Sequence, residues 1–176
     1  MDQFSVFAKT ILESKYAHTK PDGRKESWSE VAKRVASNVI GTRLNGERGD
    51  IQKAIEGRKL MPAGRYLYCA GRKKPHCNNC ALYRAEDDTE SWGELAKKCM
   101  ITLMRGAGVG VSYSRLREKD AYIAGMGGRS SGPNALACSI NEIGRGTKQG
   151  GDRRSAIWAG LLWSHPDCRE FVGIKD

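Results

Sequence analysis

Large aromatic core formers are scarce in this sequence: phenylalanine occurs 3 times in 176 residues, and the mean hydropathy is -0.57. A chain this polar is expected to need a partner surface to complete its core. No continuous apolar run approaches the roughly 18–20 residues that a membrane span requires. The stretch Met1–Lys15 is amphipathic and does not read as a secretory leader. No membrane partner is therefore expected, and the expected location is cytoplasmic. In that compartment Cys69, Cys77, Cys80, Cys99, Cys138 and Cys168 would stay reduced, so thiol chemistry would be catalytic or redox rather than structural. His18, His76 and His165 lie far apart in sequence and suggest no metal cluster. Cys77 and Cys80 have the C-x-x-C spacing of a zinc or redox pair, but no second pair is present to complete a four-cysteine zinc site.

Positive charge is abundant. Lys and Arg number 30 against 20 Asp and Glu, a net charge of +10. Such an excess favours anionic partners, whether nucleotides, nucleic acid or an acidic protein face, and is equally compatible with a solvated surface.

Phe4, Phe7, Ala8 and Ile11 recur at the spacing of one helix face. Pro21-Asp22-Gly23 supplies turn chemistry. Ser27 and Glu30 form a capping box, after which Trp28, Val31, Ala32, Val35 and Val39 share a face. Gly41 and Gly46-Glu47-Arg48-Gly49 are expected to end that helix, with a short helix over 51–56 to follow. Residues 1–60 thus read as a helical layer, and residues 61–176 have a different character. Cys80-Ala81-Leu82-Tyr83 suits a buried strand. Asp87 or Glu90 can cap a following helix that buries Trp92, Leu95, Ala96, Cys99, Met100 and Leu103. Val109, Val111 and Tyr113 alternate with small residues as a strand does. A glycine-rich loop over 125–132 leads through Pro133 into a helix with Leu136, Ile140 and Ile143. A polar loop over 146–154 precedes a last strand over 156–161, whose Trp158, with Trp163 beyond it, reads as core. Strand, helix, strand, helix, strand implies parallel strands with helical crossovers, an α/β architecture.

Several segments have chemistry to offer, each with a structural alternative. Gly106-Ala107-Gly108-Val109-Gly110 follows a helix and opens a strand, the reverse of a dinucleotide fingerprint. It reads either as backbone whose N–H groups approach a ligand or as a tight turn. Cys80 at a strand start is a reactive thiol or a small buried residue. Gln149-Gly150-Gly151-Asp152-Arg153-Arg154 could hold phosphate or a base edge, contact a nucleic-acid backbone, or be solvated, and Arg115-Leu116-Arg117 could hold phosphate or be surface.

The order of these segments resembles the ribonucleotide reductase large subunit. The resemblance rests on Met61-Pro62-Ala63-Gly64-Arg65, Asn79-Cys80, the 106–110 glycine stretch with Ser114-Arg115-Leu116-Arg117, Ser131-Gly132-Pro133, Gln149-Gly150-Gly151 with Arg153-Arg154, and His165-Pro166-Asp167. The Asn78-Asn79-Cys80 form and the Ala156–Leu161 run look most like the adenosylcobalamin-dependent class. The resemblance implies an N-terminal helical layer followed by the first strand-helix units of a ten-stranded α/β barrel, incomplete in this chain. It implies thiyl-radical reduction of ribonucleoside di- or triphosphates for DNA synthesis, with a redox cysteine pair later reduced by a thioredoxin-type partner. Cys80 matches the first cysteine of that pair. Asn79, Ala107, Gly108 and Arg153 match substrate contacts. Asp87, Asp88 and Arg117 fall where a deoxynucleotide or ATP effector binds, and residues 146–155 match the loop that couples the two sites. The finger-loop cysteine, the second redox cysteine and most of a cobalamin site have no counterpart here, so a second polypeptide carrying the remaining barrel is expected. No direct nucleic-acid contact is expected on this reading. A nucleotide or nucleic-acid binding module without catalysis and an inactive gene fragment are the alternatives.

Overall fold

The structure is a computed structural model that describes residues 4–40, 45–73, 76–147 and 155–175. The chain divides into two compact units, Met1–Asn78 and Asn79–Asp176.

The first unit is helical. α1 (Val6–Ile11) starts at Ser5, whose Oγ accepts the Ala8 N–H at 3.2 Å. It widens into a π-helical turn, Leu12–Tyr16, closed by the Ala17 N–H donating to the Leu12 carbonyl at 2.9 Å. Leu12 at the head of this turn enters the core while Phe7 is 75% exposed, so the buried stripe is Phe4, Leu12 and Tyr16 rather than the even face expected through Phe7. α2 (Trp28–Ile40) has the expected capping box: Glu30 Oε2 accepts the Ser27 N–H at 2.8 Å, and Ser27 Oγ accepts the Glu30 N–H at 3.3 Å. Trp28, Val31, Ala32 and Val35 are buried, whereas Val39 is exposed.

α3 (Asn45–Glu56) begins earlier than its apolar residues suggest, because Gly46–Gly49 lies within the helix instead of ending one. α4 (Gly64–Cys69), too short to show a period, packs Leu67 and Ala70 into the core of Trp28, Val35 and Ile55. This is why the helical unit continues past residue 60. Arg34 joins its parts. Arg34 forms a two-pronged pair with Glu26 at 2.8 Å on each arm. Its Nη1 also donates to the Leu67 and Ala70 carbonyls at 3.0 and 2.8 Å, capping the end of α4.

The second unit is α/β. β1 (Cys80–Arg84), α5 (Thr89–Met104), β2 (Gly108–Ser112), α6 (Gly132–Gly146) and β5 (Ile157–Gly160) follow in chain order, with a small hairpin of β3 (Tyr122–Ile123) and β4 (Gly128–Arg129) before α6. β1, β2 and β5 form a parallel sheet in the order β1-β2-β5, pairing Cys80 with Gly108 and Gly110 with both Leu82 and Trp158. Val109, Val111 and Tyr113 point to the helix side, where they meet Leu95, Cys99 and Leu103 of α5 and Leu136 and Ile140 of α6. Asp88, rather than Asp87 or Glu90, caps α5, its Oδ1 accepting the Ser91 N–H at 2.8 Å. The expected glycine loop over 125–132 holds the turn and the second strand of the β3–β4 hairpin, with Gly127 at φ +67° in the turn. After β5 come α7 (Cys168–Val172) and a final 3-10 turn.

Only one face of the sheet is covered by helices among the described residues. On the other face Leu82 is 74% exposed and Trp158 59%. The expectation that Trp158 and Trp163 are core residues fails, since Trp163 is also exposed. A parallel sheet normally buries both faces. No helix among the described residues is long and apolar enough to cross a membrane.

Candidate active site

The open face of the sheet holds a cleft of about 450 Å3 bordered by Cys80, Leu82, Gly108, Gly110, Ala156 and Trp158. Its floor follows from the period-2 pattern that sent Val109 and Val111 into the core: the alternate residues of β2 are glycines. A Cβ placed on Gly108 would lie 3.4 Å from Cys80 Sγ, so the thiol and the glycine are neighbours across the strand pair. A Cβ on Gly110 would come 2.9 Å from Leu82 Cδ1 and 3.3 Å from Trp158 Cε3, and one on Gly160 would run into the Trp158 ring at Cη2. Glycine at 110 and 160 therefore lets the Trp158 indole lie along the sheet. Trp158 is a cleft residue that its apolar character alone did not reveal. The glycines two positions apart on β2, facing away from the core, were the available signal.

The cysteines differ sharply in setting. Cys99 is fully buried in α5, and burial pushes its thiol up to about 11, as expected of an inert core residue. Cys69 is buried in the first unit, while Cys80 is exposed on the sheet. Cys77 belongs to the first unit and Cys80 to the second, so the C-x-x-C spacing spans the division between them.

Two expectations about the backbone need correction. The Gly108 N–H donates to the Asn79 carbonyl at 2.8 Å, and the Ala107 N–H to the Thr102 carbonyl at 3.2 Å. Neither N–H is free for a ligand, because β2 needs the first for its pairing with β1 and the end of α5 takes the second. Ala107 is also fully buried. What the cleft offers a ligand is the side-chain-free surface of Gly108, with Cys80 beside it and exposed Asn79 next in the chain.

Asp87, Asp88 and Arg117 lie beyond the other end of the strands. Arg117 Nε donates to Asp87 Oδ2 at 2.7 Å with both side chains about one-third exposed, at 35% and 34%. Arg115 pairs with Glu86 at 3.0 Å. Asp88 is committed to the α5 cap, which holds its carboxyl below the usual range through the Ser91 hydroxyl and N–H. Cys80 opens β1 and this acidic-basic cluster follows its end, so at least four strand steps of about 3.3 Å separate them. Arg153 and the Gln149–Arg154 stretch lie outside the described residues.

The His165-Pro166-Asp167 motif is a latch. His165 Nε2 donates to the Leu116 carbonyl at 2.9 Å, and its Nδ1 accepts the Asp167 N–H at 3.1 Å. Asp167 Oδ2 accepts the Lys119 N–H at 2.9 Å. The segment after β5 is thereby tied to the loop carrying Arg115 and Arg117.

Among the described residues no group of three or more His, Cys, Asp or Glu side chains could hold a metal ion. A cleft of about 450 Å3 has the size of a small-molecule site. The described residues do not form an adenosylcobalamin site.

Comparison with known proteins agrees with this division. Residues 2–75 match the family "Ribonucleotide reductase, all-alpha domain" and residues 78–176 match "Ribonucleotide reductase, barrel domain". A putative adenosylcobalamin-dependent ribonucleoside-triphosphate reductase of Mycobacterium phage D29 is 35% identical over 105 residues, 56% of this chain and 15% of the relative. A vitamin B12-dependent ribonucleoside-diphosphate reductase of Thermoplasma acidophilum is 28% identical over 166 residues, 94% of this chain and 22% of the relative. The ribonucleoside-diphosphate reductase large subunit of Danio rerio is 30% identical over 155 residues, 83% of this chain and 19% of the relative. The chain thus spans about a fifth of the length of these relatives. With both family matches running through the helical unit and the sheet, the chain belongs to the ribonucleotide reductase large-subunit family and carries its all-alpha domain and the start of its barrel domain.

Proposed function

We propose that this chain forms the substrate-facing start of a reductase that converts ribonucleotides to 2′-deoxyribonucleotides. The observation that carries the reading is the placement of an exposed thiol, Cys80, against the side-chain-free surface of Gly108 on an open sheet face. A ribose laid on Gly108 would have the Cys80 sulfur at its edge, and Asn79 beside it can hydrogen-bond a hydroxyl. In this role Cys80 gives up one of the two thiols whose oxidation to a disulfide supplies two electrons to the 2′ carbon. The second thiol and the hydrogen-abstracting radical come from the part of the barrel beyond these residues. A thioredoxin-type dithiol then restores Cys80 by exchange.

Arg117 and Asp87, far along the sheet from Cys80, bind an effector nucleotide on this reading, and Asp88 contributes by setting the start of α5. Arg153, in the loop after α6, contacts substrate. On this reading the remaining strands of the barrel add beyond β5. Two features suit such an addition: the open edge of β5, and a groove of about 760 Å3 beside it lined by Cys138, Asn141, Trp158, Phe171 and Val172. The adenosylcobalamin-dependent form rests on the Asn78-Asn79-Cys80 and Ala156–Leu161 runs, with cobalamin held by the complementary part. Relatives carry both B12-dependent and large-subunit names, and di- and triphosphate reductases both occur among them.

Turnover tests this reading. The purified chain alone is expected to form no deoxynucleotide, and the chain mixed with the rest of the barrel is expected to form it in the presence of a dithiol reductant. Deoxynucleotide formation by the chain alone would contradict the proposal, as would an inactive reconstituted assembly.

A further inference from the structure

We infer that Cys69 and Cys77 are a second redox dithiol, one that closes to a disulfide by exchange with a small-molecule disulfide. Cys69 is the last residue of α4 and 3% exposed. Its Sγ donates to the His76 carbonyl at 2.8 Å. Arg65, one helical turn earlier and also 3% exposed, donates to the same carbonyl through Nε at 3.0 Å. Two side chains four residues apart on one helix face thus clamp the peptide that joins His76 to Cys77. The clamp fixes Cys77 directly after the carbonyl that the Cys69 thiol holds, and Cys69 is near enough to help push the Cys77 thiol up. The pairing does not involve Cys80, which belongs to the other unit.

Accessibility sets the order of steps. Cys77 is half-buried and can be reached by a small disulfide, while Cys69 is enclosed. Cys77 thiolate attacks the reagent, forming a mixed disulfide and releasing one small thiol. Cys69 thiolate then attacks the Cys77 sulfur, forming the Cys69–Cys77 bond and releasing the second small thiol. Two protein thiols lose two electrons and two protons, and one small disulfide becomes two thiols. Burial pushes the Cys77 thiol up, and Cys69 adds to this while Arg65 opposes it, so the exchange is favoured at mildly alkaline pH. The product would tie the end of α4 to the segment that leads into β1.

The experiment is treatment of the folded full chain with oxidised glutathione at mildly alkaline pH, followed by intact mass measurement and peptide mapping without reduction. The expected product has lost two hydrogens, carries no glutathione, links the peptides containing Cys69 and Cys77, and reverts with dithiothreitol. Cys77→Ser is expected to abolish the link and Cys80→Ser to leave it intact, with far-UV circular dichroism verifying that both variants fold. A Cys77–Cys80 link, a persistent glutathione adduct on Cys77, or no reaction at these residues would each overturn the inference. The readout involves neither nucleotide nor turnover, so its failure and that of the proposed reductase role are distinguishable.

Discussion

Replacing Gly108 by alanine adds a single methyl to the floor of the cleft. The methyl would sit 3.4 Å from Cys80 Sγ, 3.5 Å from the Ala156 carbonyl oxygen and 3.8 Å from Ala156 Cβ, all ordinary contacts. Gly108 is not among the positive-φ residues, so its backbone suits alanine. Folding should therefore be unharmed, and the narrower unfolded ensemble of alanine would add about 0.5 kcal/mol of stability. Binding is another matter. A ligand resting on the glycine surface would have to lift by about the length of one carbon–carbon bond, roughly 1.5 Å. A displacement of about 1 Å at a reacting centre can lower the rate by roughly 100-fold. The assay is kcat/KM for deoxynucleotide formation by the reconstituted enzyme, beside urea denaturation of the chain. The expectation is a loss of about 100-fold or more in kcat/KM with an unchanged or slightly raised urea midpoint. Wild-type kcat/KM would refute the placement of the ribose on Gly108. Loss of folding would refute the geometry itself.

Arg34 and Glu26, with side chains 13% and 11% exposed, are the central ion pair of the helical unit. Arg34→Met leaves Glu26 charged and the carbonyls of Leu67 and Ala70 without their cap, and should destabilise α2 and α4 by about 3 kcal/mol. Hydrogen exchange of their amides in the full chain measures this, and a change below about 0.5 kcal/mol would exclude the role. Acid should weaken the same unit. Burial lowers the affinity of His18 for a proton, and Arg34 and Arg72 add to that, so its pKa lies below 6.5. Burial works against the charge on Glu26, but the Arg34 hydrogen bonds and the His18 N–H outweigh it, leaving its pKa below 4.5. The unfolded chain therefore binds more protons than the folded one, and stability falls with falling pH. Protection in α2 should be level above pH 6.5, decline below it and fall further under pH 4.5. Protection that rises on acidification would reverse the sign.

The parallel strand-helix alternation was legible because Val109, Val111 and Tyr113 alternate cleanly and Leu95, Cys99 and Leu103 keep helical spacing. β3 and β4, two residues each, and the six-residue α4 are too short to carry a period. Trp158 and Trp163 were misjudged because apolarity indicates that a residue seeks cover, not that the chain supplies it. The site was legible only in part. Cys80 and Gly108 do come together, yet the glycine serves by its missing side chain rather than by a free N–H. Among three consecutive acids, Glu86, Asp87 and Asp88, nothing in the sequence shows which one caps α5 and which ones pair with arginine. That choice depends on where β1 ends and α5 begins.

The thiol at the head of β1 is the point on which the functional account turns. Thioredoxin-dependent turnover of the reconstituted Cys80→Ser enzyme is the direct measurement, with effector binding as the check that the assembly is intact. The account predicts that repeated turnover is lost while the effector still binds. Sustained turnover at the wild-type rate in that variant would remove Cys80 from the reaction and contradict the account.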